Sequence, residues 1–276
     1  MYGSPMIDEA RGWALVTGAT GGLGREFCAA LAREGWRLAL AGRSEERLAG
    51  LAAGLEGPRV AETVTLASDL SAPGAAEELA KACDGRGIEV GLLVNNAGFG
   101  LFGPSVTLPA AKVEAMIALN VSALTCLCAA FGSRMKRRGR GAILNVGSVA
   151  GNQATPYFAS YAATKSYVLS YSLALRAELS ASGVAVSCLL PGYVRTGFDD
   201  AAGIASEAYK AFSRRNGSEP AEVVRAGLAA IARNRPFVVA GGRNKIAAFA
   251  TGLLPRTAPP VVVKAFMDRL VGGEGA

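Results

Sequence analysis

Histidine is absent from the 276 residues. Its absence removes Ser-His-Asp and Cys-His nucleophilic schemes and every His-ligated metal site together. Acid–base chemistry therefore falls to Tyr, Lys or a carboxylate. Charge is also sparse, at 18% of residues. No carboxylates cluster as a hard-cation site requires, so no metal is expected. The five cysteines, Cys28, Cys83, Cys126, Cys128 and Cys188, are odd in number, irregularly spaced and free of any CxxC. A disulfide framework or zinc site is disfavoured, and buried thiols in a reducing compartment are expected. Long apolar runs are missing too. Ile246–Leu254 meets Pro255 and Arg256, short of the ~20 residues that span a bilayer. No charged-then-apolar leader opens the chain. These absences predict a soluble cytoplasmic protein without a transmembrane segment. The net charge of +7 is mild, and no aromatic platform accompanies it, so no nucleic-acid partner is expected.

What is present is a large apolar fraction, 51%, and 35 glycines without a triplet period. Short apolar runs at 13–17, 37–41, 63–67, 92–95, 142–146, 184–190 and 237–240 alternate with helical patterns near 22–34, 45–54, 74–84, 109–138, 158–182 and 219–234. Runs that are apolar throughout indicate strands covered on both faces, as in a parallel sheet. The alternation predicts an α/β, doubly wound, Rossmann-like fold with helices on both faces and a ligand at the carboxyl ends of the strands. Residues 1–243 read as one domain, with a polar, weakly periodic lid at about 197–218. Residues 244–276 read as an apolar C-terminal extension packing on that domain, broken by Pro255, Pro259 and Pro260.

Gly18, Ala19, Thr20, Gly21, Gly22, Leu23 and Gly24 join the first strand to the first helix. Glycines there let the backbone bend and approach a pyrophosphate, which the helix N-terminus attracts. The second strand ends Gly42-Arg43-Ser44, where an NAD-preferring site usually carries a carboxylate for the ribose hydroxyls. Arg43 suits a 2′-phosphate instead. Ser44 can add a donor, cap the next helix, or do both. NADP(H) is thus preferred over NAD(H).

Tyr161 and Lys165 are four residues apart in Tyr-Ala-Ala-Thr-Lys, hence on one helix face. A neighbouring ammonium favours the phenolate and should lower the tyrosine from its usual ~10. Tyr157, Tyr167 and Tyr171 lack a lysine at that spacing and read as packing or pocket wall. Ser148 follows the fifth strand, where it can donate to a substrate oxygen. Asn95, Asn96, Ala97 and Gly98 end the fourth strand and can form a cofactor floor. Asp69 and Leu70 follow the third, near an adenine position. Pro191, Gly192, Tyr193, Val194, Arg195 and Thr196 leave the sixth in a turn toward the nicotinamide.

In this order, TGATGGLG, Asp69-Leu70, NNAG, Ser148, YAATK and PGYVRT resemble the short-chain dehydrogenase/reductase family over about residues 12–240. The resemblance implies roles residue by residue. Tyr161 would protonate a carbonyl oxygen as NADPH delivers hydride. Lys165 would lower the Tyr161 pKa and hold the nicotinamide ribose. Ser148 would orient the carbonyl. Asn120 would kink its helix and hold a relay water. Thr196 would reach the carboxamide, and Asp69 and Leu70 would frame the adenine. A homodimer or homotetramer is also implied. The sequence departs from the family in having Gly147 before Ser148 and no basic residue inside the glycine loop.

Phe99, Tyr157, Tyr193 and Phe198 flank the expected substrate mouth, with Leu101, Phe102, Phe158, Tyr209 and Phe212 nearby. They suggest a lipophilic ketone or the corresponding secondary alcohol, although several can equally pack the lid. The basic run Arg134–Arg140 can be a cationic helix end or a dock for an acidic acyl carrier protein. The C-terminal stretch can cover the pocket, form an interface or lie on a membrane. The leading expectation is an NADPH-dependent carbonyl reductase. A 3-oxoacyl-carrier-protein reductase and a non-catalytic NADP-binding regulator are the alternatives.

Overall fold

The computed structural model describes residues 12–55, 62–241 and 257–272. Seven strands, β1 (Trp13–Thr17), β2 (Arg37–Gly42), β3 (Thr63–Ala67), β4 (Val90–Asn95), β5 (Gly141–Val146), β6 (Val184–Leu190) and β7 (Phe237–Val239), form one sheet. Its order is β3-β2-β1-β4-β5-β6-β7. All pairings are parallel. The order reverses between β1 and β4, so a crevice opens at their carboxyl ends. This is the expected doubly wound α/β fold.

The period of two along each strand divides the core. Leu15, Ala39, Ala41, Leu93, Ile143 and Val186 face one layer. Ala14, Val16, Leu38, Leu40, Leu92, Val94, Ala142, Leu144 and Leu189 face the other. Helices α1 (Gly22–Arg33), α2 (Glu45–Ala53), α3 (Ala75–Gly85), α5 (Leu124–Arg138), α6 (Ala159–Leu179) and α9 (Pro220–Ala232) cover these faces, whereas α4 (Ala110–Ile117) places Met116 in a third cluster with Tyr161. Two further helices, α7 (Phe198–Ala201) and α8 (Glu207–Asn216), occupy the segment expected to be a lid, and α10 (Ala258–Val271) lies near the C-terminus.

The structure alters several details. The expected single helix at 109–138 contains a π-helical segment, Ala118–Ala123. Ala110–Arg138 is also long and apolar enough to cross a membrane by length and composition, which the reading of Ile246–Leu254 overlooked. Its apolar face is used within the fold, where Leu124, Leu127, Phe131 and Met135 belong to the core. Ile246–Leu254 lies outside the described residues. Cys126 is exposed, whereas Cys28, Cys83, Cys128 and Cys188 are buried, and all five are unpaired.

Burial pushes Cys28 and Cys128 up to about 12, and Cys83 and Cys188 up to about 11, from 9.0. The folded state keeps these protons where the unfolded chain releases them. Stability present below pH 9 is therefore lost as pH rises toward 11–12. Each deeply buried thiol contributes about 1.4 kcal/mol of that loss one pH unit above its unfolded value. Lys165, lowered to about 8 from 10.5, acts oppositely between those values. A urea midpoint that falls between pH 8 and pH 10, and falls less in Cys28→Ala, is the expected result.

Candidate active site

Gly18 takes φ +62°, and a Cβ on it would stand 2.9 Å from the Ala97 Cα. The turn therefore presses against the β4 exit. The Asn96 side chain donates to the carbonyls of Thr17 (2.9 Å) and Gly18 (3.1 Å). The Thr17 hydroxyl accepts from the amides of Asn96 and Ala97, each at 3.0 Å. Gly21 caps α1 without a side-chain hydrogen bond, and no acidic residue occupies the first turn. An uncapped N-terminus behind a glycine turn is a cradle that fits a pyrophosphate. Gly22 faces Thr196 so closely that a Cβ would lie 2.6 Å from the threonine methyl. Thr196 thereby brings the turn after β6 against the glycine loop. Thr20 and Leu23 complete the cradle in sequence.

Arg43 is exposed at the end of β2. Ser44 caps α2, accepting from the Arg47 amide at 3.2 Å. Two residues not singled out by sequence join this edge: Arg47 and Arg25 both donate to the Thr20 carbonyl, at 3.2 and 3.1 Å. Their signal was weak because neither lies inside the glycine motif. Asp69 accepts from the Ser71 hydroxyl (2.6 Å) and amide (3.1 Å). These bonds, helped by Arg43, hold its carboxyl below the usual range. Leu70 is buried beside it.

Asn120 sits in the π-helical segment, fully buried. Its Oδ1 accepts from the Phe99 amide at 3.1 Å, and its Nδ2 donates to the Phe99 carbonyl (2.9 Å) and the Thr164 hydroxyl (3.1 Å). The Thr164 hydroxyl donates to the Tyr161 carbonyl at 2.7 Å. Thr164 stands inside the YAATK string, but its role depends on this contact with Asn120 44 residues away. Gly98 faces both groups: a Cβ would be 2.9 Å from Asn120 Oδ1 and 3.4 Å from Lys165 Nζ.

Ser148 follows β5, accepts from the Ala150 amide at 3.1 Å and lies 3.5 Å from the Pro191 carbonyl. Its own loop is thereby joined to the Pro191-Gly192 turn, and the Val149 amide also donates to Pro191 at 2.9 Å. Gly147 has a packing cause, since a Cβ would meet Leu190 at 2.7 Å and the Cys188 sulfur at 3.0 Å. Val194 pairs with Ser218, which joins the two ends of the 197–218 segment. Under the strands, the Asn95 side chain donates to Asn145 (2.9 Å), which donates to Ser172 (2.9 Å). This buried chain braces β4, β5 and α6.

Tyr161 is 9% exposed and Lys165 5%. The lysine ammonium donates to the Val146 carbonyl at 2.8 Å and lies 5.8 Å from the centre of the Tyr161 ring. The expected lowering of Tyr161 by Lys165 is not what the structure gives. Burial pushes the phenol up to about 12, and Ser148 pulls it partly back. The lysine is itself lowered to about 8 by burial. Both groups lose more by leaving water than they gain from each other at this separation.

The Phe198 ring lies tilted against Tyr161 at 5.5 Å between ring centres and stacks on Phe158 at 6.5 Å. Tyr193 contacts Tyr209 (6.1 Å) and Phe212 (5.5 Å). Phe99, Tyr157, Tyr193 and Phe198 all join the cluster containing Phe158, Tyr161, Tyr209 and Met267. The basic run is mostly consumed: Arg134 pairs with Asp84, while Arg138 and Arg140 pair with Glu89 at 3.4 and 3.3 Å. It precedes β5 and so lies at the opposite end of the strands from Tyr161.

A pyrophosphate cradle and a buried Ser-Tyr-Lys set at the switch point of a parallel sheet define a nucleotide-dependent oxidoreductase. The short chain dehydrogenase family model matches residues 12–205, and the chain belongs to that family. Very-long-chain 3-oxoacyl-CoA reductase-A of Danio rerio is 34% identical over 188 residues, 67% of this chain and 58% of that protein. The chain thus spans under two thirds of that relative's length. A short-chain dehydrogenase from Sphingobium yanoikuyae in complex with NADPH is 32% identical, with TM-score 0.75 over 95% of this chain and 93% of that one. The bulky-bulky ketone specific alcohol dehydrogenase from Comamonas testosteroni is 28% identical, with TM-score 0.71 over 90% and 96%.

Proposed function

We propose that the protein is an NADP(H)-dependent reductase of a lipophilic ketone, a 3-oxoacyl thioester or similarly bulky carbonyl compound, working equally in reverse on the alcohol. The observation that carries this reading is the convergence of Ser148, Tyr161 and Lys165 beneath an aromatic roof and beside the glycine loop. When bound, the cofactor supplies the hydride. Tyr161 holds the proton destined for the carbonyl oxygen, and its high pKa keeps that proton available at neutral pH. Ser148 donates to the same oxygen and fixes its position. Lys165 uses one of its three donors on Val146; the others suit ribose hydroxyls. The Phe158, Phe198 and Tyr193 rings exclude water and select apolar substituents. Names of relatives that act on very-long-chain 3-oxoacyl-CoA and bulky ketones support the same substrate class. The carrier-protein reading gains nothing from the basic helix end, which faces away from Tyr161.

Cofactor preference rests on Arg43, with Arg47 and Arg25 held on the Thr20 carbonyl of the glycine loop. Exposed Ile117, Tyr167 and Leu173 on α4 and α6 suit a homodimer or homotetramer. Five unpaired thiols suit a cytoplasmic setting. The test is loss of NADPH absorbance with a panel of 3-oxoacyl thioesters, steroids and small ketones. Turnover restricted to lipophilic members supports the reading; NADPH binding without turnover of any ketone favours a non-catalytic regulator. In the same assay Arg43→Asp is expected to move the NADPH/NADH preference by about tenfold or more toward NADH. An unchanged ratio rejects Arg43 as the phosphate reader.

A further inference from the structure

We propose that Asp268, on α10, is a positioning residue that holds Tyr157 as a wall of the substrate pocket and so sets the preference for bulky substrates. The inference rests on the ketone-reductase reading. The Tyr157 phenol donates to Asp268 Oδ1 at 2.6 Å, a distance typical of a charge-assisted bond. Lys264 fixes that carboxylate from one helical turn away, at 3.1 and 2.8 Å. Its ammonium also lies 5.8 Å from the Tyr157 ring centre.

Tyr157 does not hold this place unaided. Its φ is +65°, a region unfavourable to a bulky side chain. Two bonds compensate at opposite ends of the residue: its carbonyl accepts from the Gly103 amide at 2.9 Å, and its phenol is tied to Asp268. The ring then stacks on Phe102 at 5.8 Å, Phe102 meets Phe158 at 5.1 Å, and Phe158 meets Tyr161 at 5.7 Å. A continuous line of rings runs from the carboxylate on α10 to the phenol at the centre of the site. The same helix is tied to the lid, because the Ser206 hydroxyl donates to the Leu270 carbonyl at 2.6 Å and Phe212 packs on Phe266 at 5.0 Å. Releasing Asp268 frees Tyr157 to leave its strained conformation and loosens the far wall of the pocket, away from the reacting atoms.

The experiment compares wild type, Tyr157→Phe, Asp268→Asn and the double variant, with NADPH and two probes: a short-chain and a long-chain 3-oxoacyl thioester. The expected result is a fall of about fivefold to tenfold in the ratio of long-chain to short-chain kcat/KM. It arises in the long-chain KM, and the double variant is no worse than either single. NADPH affinity stays at the wild-type value. Equal losses on both probes, or additive losses in the double variant, overturn the proposal. Hydrogen exchange of the Gly103 amide supplies a readout free of turnover. It should quicken alike in both single variants and no further in the double; unchanged exchange also overturns the proposal. If wild type binds NADPH but reduces neither probe, the functional reading fails, and exchange alone still decides whether the tie exists.

Discussion

Tyr161→Phe is expected to lower kcat for ketone reduction by about a thousandfold, within the range that a positioned general acid contributes. The substitution keeps the ring, and with it the packing on Phe158 at 5.7 Å and Phe198 at 5.5 Å. Only the hydroxyl facing Ser148 is lost. NADPH affinity should stay within about twofold, because the glycine cradle is built from other segments. Retained turnover would mean that the proton comes from elsewhere. The pH dependence adds a second check. In the proposed reaction, reduction needs the phenol protonated and the lysine charged. Lys165 gives up its proton near 8, well before Tyr161 does near 12. Reductive kcat/KM should therefore decline first as pH rises through about 8, and Lys165→Arg should move that decline to higher pH.

Gly24→Ala is expected to damage fold and cofactor binding together. A Cβ there would lie 2.1 Å from the Gly18 carbonyl oxygen and 2.9 Å from that of Ala19. Both are backbone atoms of the turn, so the clash cannot be relieved by a rotamer change. The cost is about 3 kcal/mol, roughly 6–12 °C in Tm at about 2–4 °C per kcal/mol, and the displaced turn should also lose much of its NADPH affinity. Gly50 is the internal comparison. It lies in α2 with nothing within 4 Å of its Cβ position, so Gly50→Ala should stabilise the protein by about 0.5–1 kcal/mol through helix propensity. Thermal melts with and without NADPH distinguish the two. Equal behaviour at both positions would refute close approach within the turn.

Motifs were legible where the residue type itself is the mechanism. The glycine loop is one case: glycine takes φ +62° at Gly18 without strain, and a Cβ at Gly24 would collide with the backbone of the turn. The Tyr161–Lys165 spacing is another, since the helical period places both on one face whatever surrounds them. Residues whose role depends on a distant partner were less visible. Thr17 looks like the last residue of a strand until Asn96 and Ala97 donate to it. Arg47 looks like a solvated helix residue until it reaches Thr20. The pKa expectation failed for the same reason. Spacing gives proximity but not burial, and burial governs both Tyr161 and Lys165.

The order of strands and helices, the nucleotide-binding turn, the freedom from histidine chemistry and the placement of Tyr161 and Lys165 on one helix face are properties of the chain as written, because each follows from local periodicity or from a residue type without a substitute. Folding decided the rest. It gave Gly147 its cause in Leu190 and Cys188, turned the Tyr157 phenol toward Asp268, and paired the basic helix end with Glu89 at the end of the strands opposite Tyr161. Each of these is a contact between residues far apart in sequence. Local preferences carry no information about such contacts until the sheet brings the segments together.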